Sequence, residues 1–406
     1  MEQKDFRTIA QKRWELSKKY GDKCINGAAG MPDQELTRAL SLDLFKTLRQ
    51  EITQEEWLKA INLNYHYETG LETSIQDYLT SILGPRVVKS YGLYISDRGS
   101  QQILDETVTL AWQEDGLVGI FEPYYYGESQ ILNQKHLKPS VRSVLGKNKG
   151  LETIIQEVSE MAGRKKVLLV VNENPVSIPV KTRIREILAA LEAHKNVTLL
   201  LDDAYPFNPE GLRLVAIHGA DRGLLEQIIY AGTFSKTASA PGLGIGFALA
   251  PGNYLKGYFN RSEAGGLCAR NPGHGIFGLY LSKRSLAELI ERSTRLYLAK
   301  HKLLMESLEP LRAYRVKWDE HHAFYAWMEF PEEVDTSFET EFCKRMWDPE
   351  VGGYSLHYIP GIYFAFHFEA ELRNYIRISI SAVPEKLIPQ IGPKIKAVLE
   401  DMGLRV

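Results

Sequence analysis

Short runs of apolar residues alternate with longer amphipathic stretches through the middle of the chain. Leu117–Phe121, Val167–Val171, Val197–Leu201, Gln227–Ala231 and Ile245–Ala250 are apolar almost throughout, which predicts strands buried on both faces. Between them, Asp105–Gln113, Leu151–Met161 and Thr182–His194 repeat apolar residues at helical spacing. Strands of that kind separated by helices make a mostly parallel sheet covered on both sides. From about Asn271 the pattern changes. A helical stretch over Gly275–Leu308 leads to Tyr314–Trp318, Phe324–Phe330 and Tyr375–Ile380, which predict an antiparallel sheet, and a last helix covers Pro384–Met402. The fold class is therefore α/β. Residues 46–285 form a large domain, 286–406 a smaller α+β domain, and 1–45 an N-terminal arm that shares in the small one.

Composition changes this picture little, but it removes several functions. A chain of 406 residues can bury the cores of two domains. A formal charge of −2 offers no broad basic face to nucleic acid. No apolar run approaches the roughly 20 residues that span a bilayer, and Met1–Tyr20 lacks the apolar core of a secretory leader. Cys24, Cys268 and Cys343 are odd in number and far apart. They read as reduced thiols of a cytoplasmic protein, or simply as small buried side chains, without metal-ligand spacing.

Several polar residues stand where such a sheet would expose them. Tyr230-Ala-Gly-Thr-Phe-Ser-Lys236 puts a lysine just past an apolar strand, in a turn of small residues. Open α/β sheets bind ligands at the carboxyl ends of their strands. A partly desolvated loop there lowers a lysine's pKa, as Schiff-base chemistry requires, whereas a solvated lysine would do nothing. Thr233 and Ser235 offer hydroxyls to a phosphate or to the cap of the next turn. Asp202 and Asp203 follow another apolar run, and buried carboxylates need partners. A protonated cofactor nitrogen is one such partner. A strand-end turn and a metal are the others, although no third ligand stands at a helpful spacing. Asn174, in Asn172-Glu-Asn-Pro175, reads equally well as a turn. Gly99-Ser100-Gln101 opens a helix in a way that suits an anion or a plain cap. Glu122-Pro-Tyr124-Tyr125-Tyr126-Gly127 places rings where one could stack on a flat cofactor or pack into the core.

Taken in order, these residues resemble fold-type-I pyridoxal-phosphate enzymes of the class I and II aminotransferase family, from about Ile25 to the end. Ile25-Asn-Gly-Ala-Ala-Gly30-Met-Pro32-Asp33, Pro360-Gly361-Ile-Tyr363-Phe364 and Asn374-Tyr-Ile-Arg377-Ile-Ser379 are similar to motifs of the branch around 2-aminoadipate and kynurenine aminotransferases. The resemblance implies a mostly parallel seven-stranded sheet, pyridoxal 5′-phosphate as cofactor, and transfer of an α-amino group between an amino acid and a 2-oxo acid. It implies Lys236 as the Schiff-base lysine and proton carrier, Asp202 as partner of the pyridine nitrogen, and Tyr205 with Asn174 on the phenolic oxygen. Tyr125 is then the stacking ring, and Gly99, Ser100, Gln101 and Thr233 hold the phosphate. Tyr65, five residues before Gly70, stands where the family has a tyrosine that reaches a neighbouring subunit's phosphate. That implies a homodimer with shared active sites. Arg377 becomes the clamp on the substrate's α-carboxylate, with the Gly30 backbone nearby. Chemistry supports this independently, since a planar guanidinium grips a carboxylate bidentately and is otherwise costly in an apolar strand.

The chain also departs from the family. Eight residues past the lysine, where relatives pair an arginine with the phosphate, this chain has Gly244. Arg98, just before Gly99, is expected either to supply that cation or to point to solvent. Glu320-His321-His322-Ala-Phe324 replaces a glycine pair that borders the substrate in relatives, and Ala269-Arg-Asn-Pro-Gly-His274 replaces a small polar loop. The histidines could narrow the pocket or lie at the surface. A pyridoxal-phosphate lyase, cyclase or oxidase on the same scaffold is therefore the alternative to an aminotransferase. A regulator using the fold as a sensor is not expected, because the roughly 25 residues before the match leave no room for a winged helix. The expected partners are small molecules, with no metal, nucleic acid or membrane.

Overall fold

The computed structural model describes residues 6–28, 30–61, 70–125, 140–146, 149–172, 184–205, 227–251, 272–320 and 324–404. β1 (Cys24–Asn26) opens the chain's pairing and belongs with the small domain. β2 (Tyr91–Ser96), β3 (Leu117–Glu122), β4 (Val141–Leu145), β5 (Val167–Asn172), β6 (Val197–Asp203), β7 (Ile228–Thr233) and β8 (Gly246–Pro251) build the large sheet. Their order is β2-β8-β7-β6-β5-β3-β4, and β8 runs antiparallel to both of its neighbours while β3 to β7 are parallel. The expected seven-stranded, mostly parallel sheet is therefore present.

The apolar runs work as two rows each. Side chains alternate across a strand, so Val197, Leu199 and Leu201 of β6 join Val167, Leu169 and Val171 of β5 in one core. Leu200, Leu168 and Val170 enter a second core on the other face, together with Ile103, Leu104 and Val108 of the helix Ser100–Gln113. That parity separates the two carboxylates. Asp202 continues the row facing the helix Ser100–Gln113, and Asp203 continues the opposite one.

β9 (Lys317–Trp318), β10 (Tyr325–Glu329), β11 (Ser355–His357), β12 (Ile359–Pro360) and β13 (Tyr375–Ser379) belong to the small domain. Four of them form an antiparallel sheet in the order β12-β13-β10-β9, and β11 pairs in parallel with β1. Ile25, Met328, Phe342, Ile376 and Ile378 share its core with Ile395 of the last helix.

Several elements differ from the pattern-based expectation. The stretch Gly275–Leu308 is two helices, Pro272–Leu281 and Leu286–Leu308, and Ser285 caps the second by accepting from the Glu288 amide. Tyr314 closes a 3-10 turn, which leaves only Lys317–Trp318 to pair as a strand. In the final element Pro389 cannot donate, so Glu385–Gln390 is 3-10 and the α-helix spans Ile391–Asp401. β2 and β4, absent from the apolar pattern, are the sheet's two edges, where Gly92, Arg142 and Ser143 are tolerated. Among the described residues no helix is long and apolar enough to cross a membrane.

The two domains meet at Glu122, the last residue of β3. Its carboxylate is wholly buried and accepts the amides of Phe366, His367 and Phe368 at 2.8, 2.9 and 3.0 Å. The Tyr124 amide donates to the Phe364 carbonyl at 2.9 Å, and Ser143 Oγ lies 2.6 Å from His367 Nδ1. Glu122→Ala would orphan three amides at a buried junction. Each uncompensated donor costs about 1–3 kcal/mol, so a clear fall in the thermal unfolding midpoint is expected, with Glu122→Gln falling less; equal melting of all three proteins would contradict this.

Candidate active site

The carboxyl ends of β5, β6 and β7 bring the first components together. Asn172 pairs in register with Asp202, and Asp202 with Ala231. Asn172 Nδ2 donates to Asp202 Oδ2 at 2.8 Å, while Asp202 Oδ1, though buried, has no hydrogen-bond partner among the described residues. Burial pushes the Asp202 carboxyl up to about 6, and the Ser100 hydroxyl and Asn172 amide pull it back down. Asp203, on the opposite face, accepts from the Tyr230 hydroxyl at 2.9 Å and is also raised by burial.

β7 delivers Lys236 through the one-turn helix Phe234–Thr237. Thr233 caps that turn, accepting from the Ser235 amide at 3.2 Å and donating to the Ile245 carbonyl at 3.0 Å. Lys236 Nζ donates to the Gly30 carbonyl at 2.6 Å. Burial, helped by the positive charge of Arg377, depresses its pKa to about 8.

A cup of donors lies beside this turn. Gly99 takes φ +66° ahead of the helix Ser100–Gln113, and no side chain caps that helix. A Cβ on Gly99 would lie 3.1 Å from Thr233 Oγ1 and 3.8 Å from Ser235 Oγ, and one on Gly246 would lie 2.7 Å from the Ser100 amide nitrogen. Two glycines therefore let the helix start, β8 and the Thr233–Ser235 turn close together around one point. Ser100 is buried there and Gln101 half-buried. Uncapped amides at a helix N-terminus suit a phosphate. Gly244 sits in the left-handed region at φ +65° and its carbonyl accepts the Gly99 amide at 2.6 Å. Glycine at that position serves the backbone of the cup rather than its charge. The structure does not bring Arg98 to this cup. Its side chain is 70% exposed and its guanidinium lies 3.9 Å from Asp105, so the geometry supports the solvent-facing reading.

Arg377 approaches from the small domain. It is buried on β13 opposite Trp327, its Nη2 donates to the Ala28 carbonyl at 3.0 Å, and its guanidinium carbon lies 4.4 Å from the Tyr325 ring centre and 5.1 Å from that of Phe364. Tyr325 is a component that the motifs did not reveal. Its hydroxyl is 2.7 Å from that of Tyr205, and a Cβ on Gly30 would collide with it. Burial holds the Tyr205 hydroxyl well above the usual tyrosine range, with Tyr325 and Tyr125 adding to the effect. Tyr125 is thus within electrostatic reach of Tyr205. His274 is another such component, buried with Nε2 3.1 Å from Asp97 Oδ1 and 3.2 Å from the Ser96 carbonyl, where it braces the turn before Gly99. Tyr65, Asn174, His321 and His322 lie outside the described residues.

The arrangement fits a flat phosphorylated cofactor on an observation independent of any motif. A buried carboxylate oxygen without a partner awaits a donor, and a glycine-lined cup of donors lies at the first turn of the helix that faces it. Residues 35–391 match the model of the family described as aminotransferase class I and II. The chain belongs to that family. It is a pyridoxal-phosphate-dependent aminotransferase. Similar solved structures include a multiple substrate aminotransferase from Thermococcus profundus, 21% identical over 99% of this chain and 96% of that one, with a TM-score of 0.75. A kynurenine aminotransferase from Pyrococcus horikoshii is 19% identical over 99% and 96%, with a TM-score of 0.74. An alpha-aminoadipate aminotransferase from Thermus thermophilus is 19% identical over 98% and 100%, with a TM-score of 0.69. Identities of this size speak for the fold alone. No curated protein matches the chain.

Only an uncharged amine attacks an aldehyde, so assigning Lys236 as the lysine that takes up the cofactor has a direct readout in its low pKa. The rate at which cofactor-free aminotransferase takes up pyridoxal phosphate should rise as pH increases through about 8 and then level off. Arg377→Leu removes a positive charge that favours the neutral amine, so its profile should move to higher pH. A rate that is flat between pH 7 and 9, followed by absorbance, would count against the assignment.

Proposed function

We propose that Lys236 holds pyridoxal phosphate and carries the proton at the substrate's α-carbon while an α-amino group passes between an amino acid and a 2-oxo acid. One observation supports this most: a half-buried amine of depressed pKa and a buried carboxylate with an oxygen unpartnered among the described residues stand at the ends of adjacent strands. Bound there, pyridoxal phosphate supplies the electron sink that loosens the α-carbon's hydrogen. Asp202 stabilises positive charge on the ring nitrogen. Tyr205 and Asn174 donate to the phenolic oxygen, and Tyr125 stacks on the ring. Gly99, Ser100, Gln101 and Thr233 hold the phosphate. Arg377, pre-oriented by the Ala28 carbonyl and the Tyr325 ring, clamps the α-carboxylate beside Gly30. An amine with a pKa near 8 can both take up and return a proton close to neutral pH.

We further propose a cytoplasmic homodimer in which Tyr65 reaches the neighbouring subunit's phosphate. Leu42 and Phe45, one turn apart on the helix Gln34–Gln50, are 51% and 60% exposed, as are Met31 and Leu58 nearby in the chain at 56% and 50%. Large apolar side chains left in water on one helix face suit a second copy. Cys24 and Cys343 as free thiols accord with a reducing compartment.

A single-turnover assay tests the reaction. An amino acid supplied without acceptor should release about one 2-oxo acid per active site and then stop, because the amino group stays on the enzyme. Continued consumption of the amino acid without an acceptor would favour the lyase, cyclase or oxidase reading. For the assembly, Phe45→Glu should lower the sedimentation mass from dimer to monomer; a wild-type monomer would refute the shared site.

A further inference from the structure

Tyr325 places a hydroxyl at the centre of the site, and packing does not account for it. Phe324, its neighbour, already packs against Tyr205 at 5.0 Å between ring centres without any hydroxyl. The Tyr325 ring meets Tyr205 edge-on at 5.2 Å and 79°, which brings the two oxygens to 2.7 Å in a buried environment. A hydroxyl taken out of water needs a partner, and each of these has the other.

A tyrosine oxygen carries one hydrogen and can accept as well. Either member of the pair can therefore donate to the other. Once a more basic oxygen is offered to Tyr205, its hydrogen turns to that oxygen, and the Tyr325 hydrogen is then free to point at Tyr205. We propose that Tyr325 is a positioning residue that acts through Tyr205, donating to it and thereby strengthening the hydrogen bond that Tyr205 gives to the cofactor's phenolic oxygen. The inference rests on the proposed contact between Tyr205 and that oxygen. Hydrogen bonds in a chain polarise one another, and a low dielectric magnifies the effect. Among the described residues, the ionisable groups that face the pair are Arg377 of β13, Tyr125 after β3 and Tyr297 of the helix Leu286–Leu308. Of these only Arg377 is charged near neutral pH. Its guanidinium lies against the Tyr325 ring and keeps that hydroxyl a good donor.

The consequence is measurable without turnover. A donor on the phenolic oxygen stabilises the anion that remains when the Lys236 Schiff base loses its proton. It therefore lowers the pKa of that linkage, and weakening it must raise the pKa. In purified holoenzyme, titrated by absorbance against pH in the absence of substrate, Tyr325→Phe should raise that pKa by about half a unit or more. Tyr205→Phe should raise it further. The double variant should match Tyr205→Phe alone, because the proposal has Tyr325 act through Tyr205. Tyr325→Phe keeps the ring, so its melting temperature should stay near that of the wild type. If Tyr205→Phe shifts the pKa and Tyr325→Phe does not, Tyr325 only packs, and the proposal falls while the function stands. Additive shifts in the double variant would also overturn it, since Tyr325 would then act independently. If borohydride fixes no cofactor on Lys236 in the wild type, the underlying functional reading fails first and takes the proposal with it.

Discussion

The site depends on how a short, nearly side-chain-free segment satisfies its own backbone. Buried carbonyls must find donors, and those of Gly27, Ala28, Gly30 and Met31 find them on both domains. Ser379 donates its amide to the Gly27 carbonyl, Arg377 its guanidinium to Ala28, Lys236 its amine to Gly30 and Ser381 its hydroxyl to Met31. At the far end Asp33 donates its amide to the Tyr297 hydroxyl and receives the buried Lys300 ammonium at 2.7 Å. Added side chains would not fit, since a Cβ on Gly27 would lie 2.6 Å from the His357 carbonyl. The segment thus holds the cationic groups of Arg377 and Lys236, which the proposed function turns toward one small molecule. Their mutual repulsion is tolerated because each has a carbonyl to hold.

The large sheet solves a different problem, that of separating two neighbouring carboxylates. Adjacent aspartates on a strand point to opposite faces, so β6 presents Asp202 toward the helix that carries Ser100 and hides Asp203 against Tyr230. The same period of two that sorts Leu199 from Leu200 into separate cores decides which acid can act. Packing and chemistry are set by a single register. A shift of one residue along β6 would exchange the two aspartates and turn both cores inside out.

Much of this was legible from residue order. The apolar runs of β3, β5, β6 and β7 marked the central strands because burial on both faces leaves no room for alternation. Lys236 and Asp202 stand out as candidates because they follow such runs, and Gly99 because small residues there open a helix. The edge strands β2 and β4 were not legible, since an edge tolerates the polar and small residues that disguise it. Tyr325 was hidden for another reason. Its alternation with Trp327 was visible, but only the pairing of Trp327 with Arg377 shows that this face looks into the site, and register between distant strands leaves no local mark. The two readings of Arg98 stayed open because nearness in sequence to a helix start says nothing of where a long side chain turns; in the structure it is 70% exposed, near Asp105.

The Gly30 carbonyl cannot keep the Lys236 amine once that nitrogen is committed elsewhere. On the proposed function, seating a ligand on Lys236 releases one of the hydrogen bonds that hold the amino-terminal segment. Whatever takes that nitrogen competes with the Gly30 carbonyl for it, and by linkage each weakens the other by the same free energy.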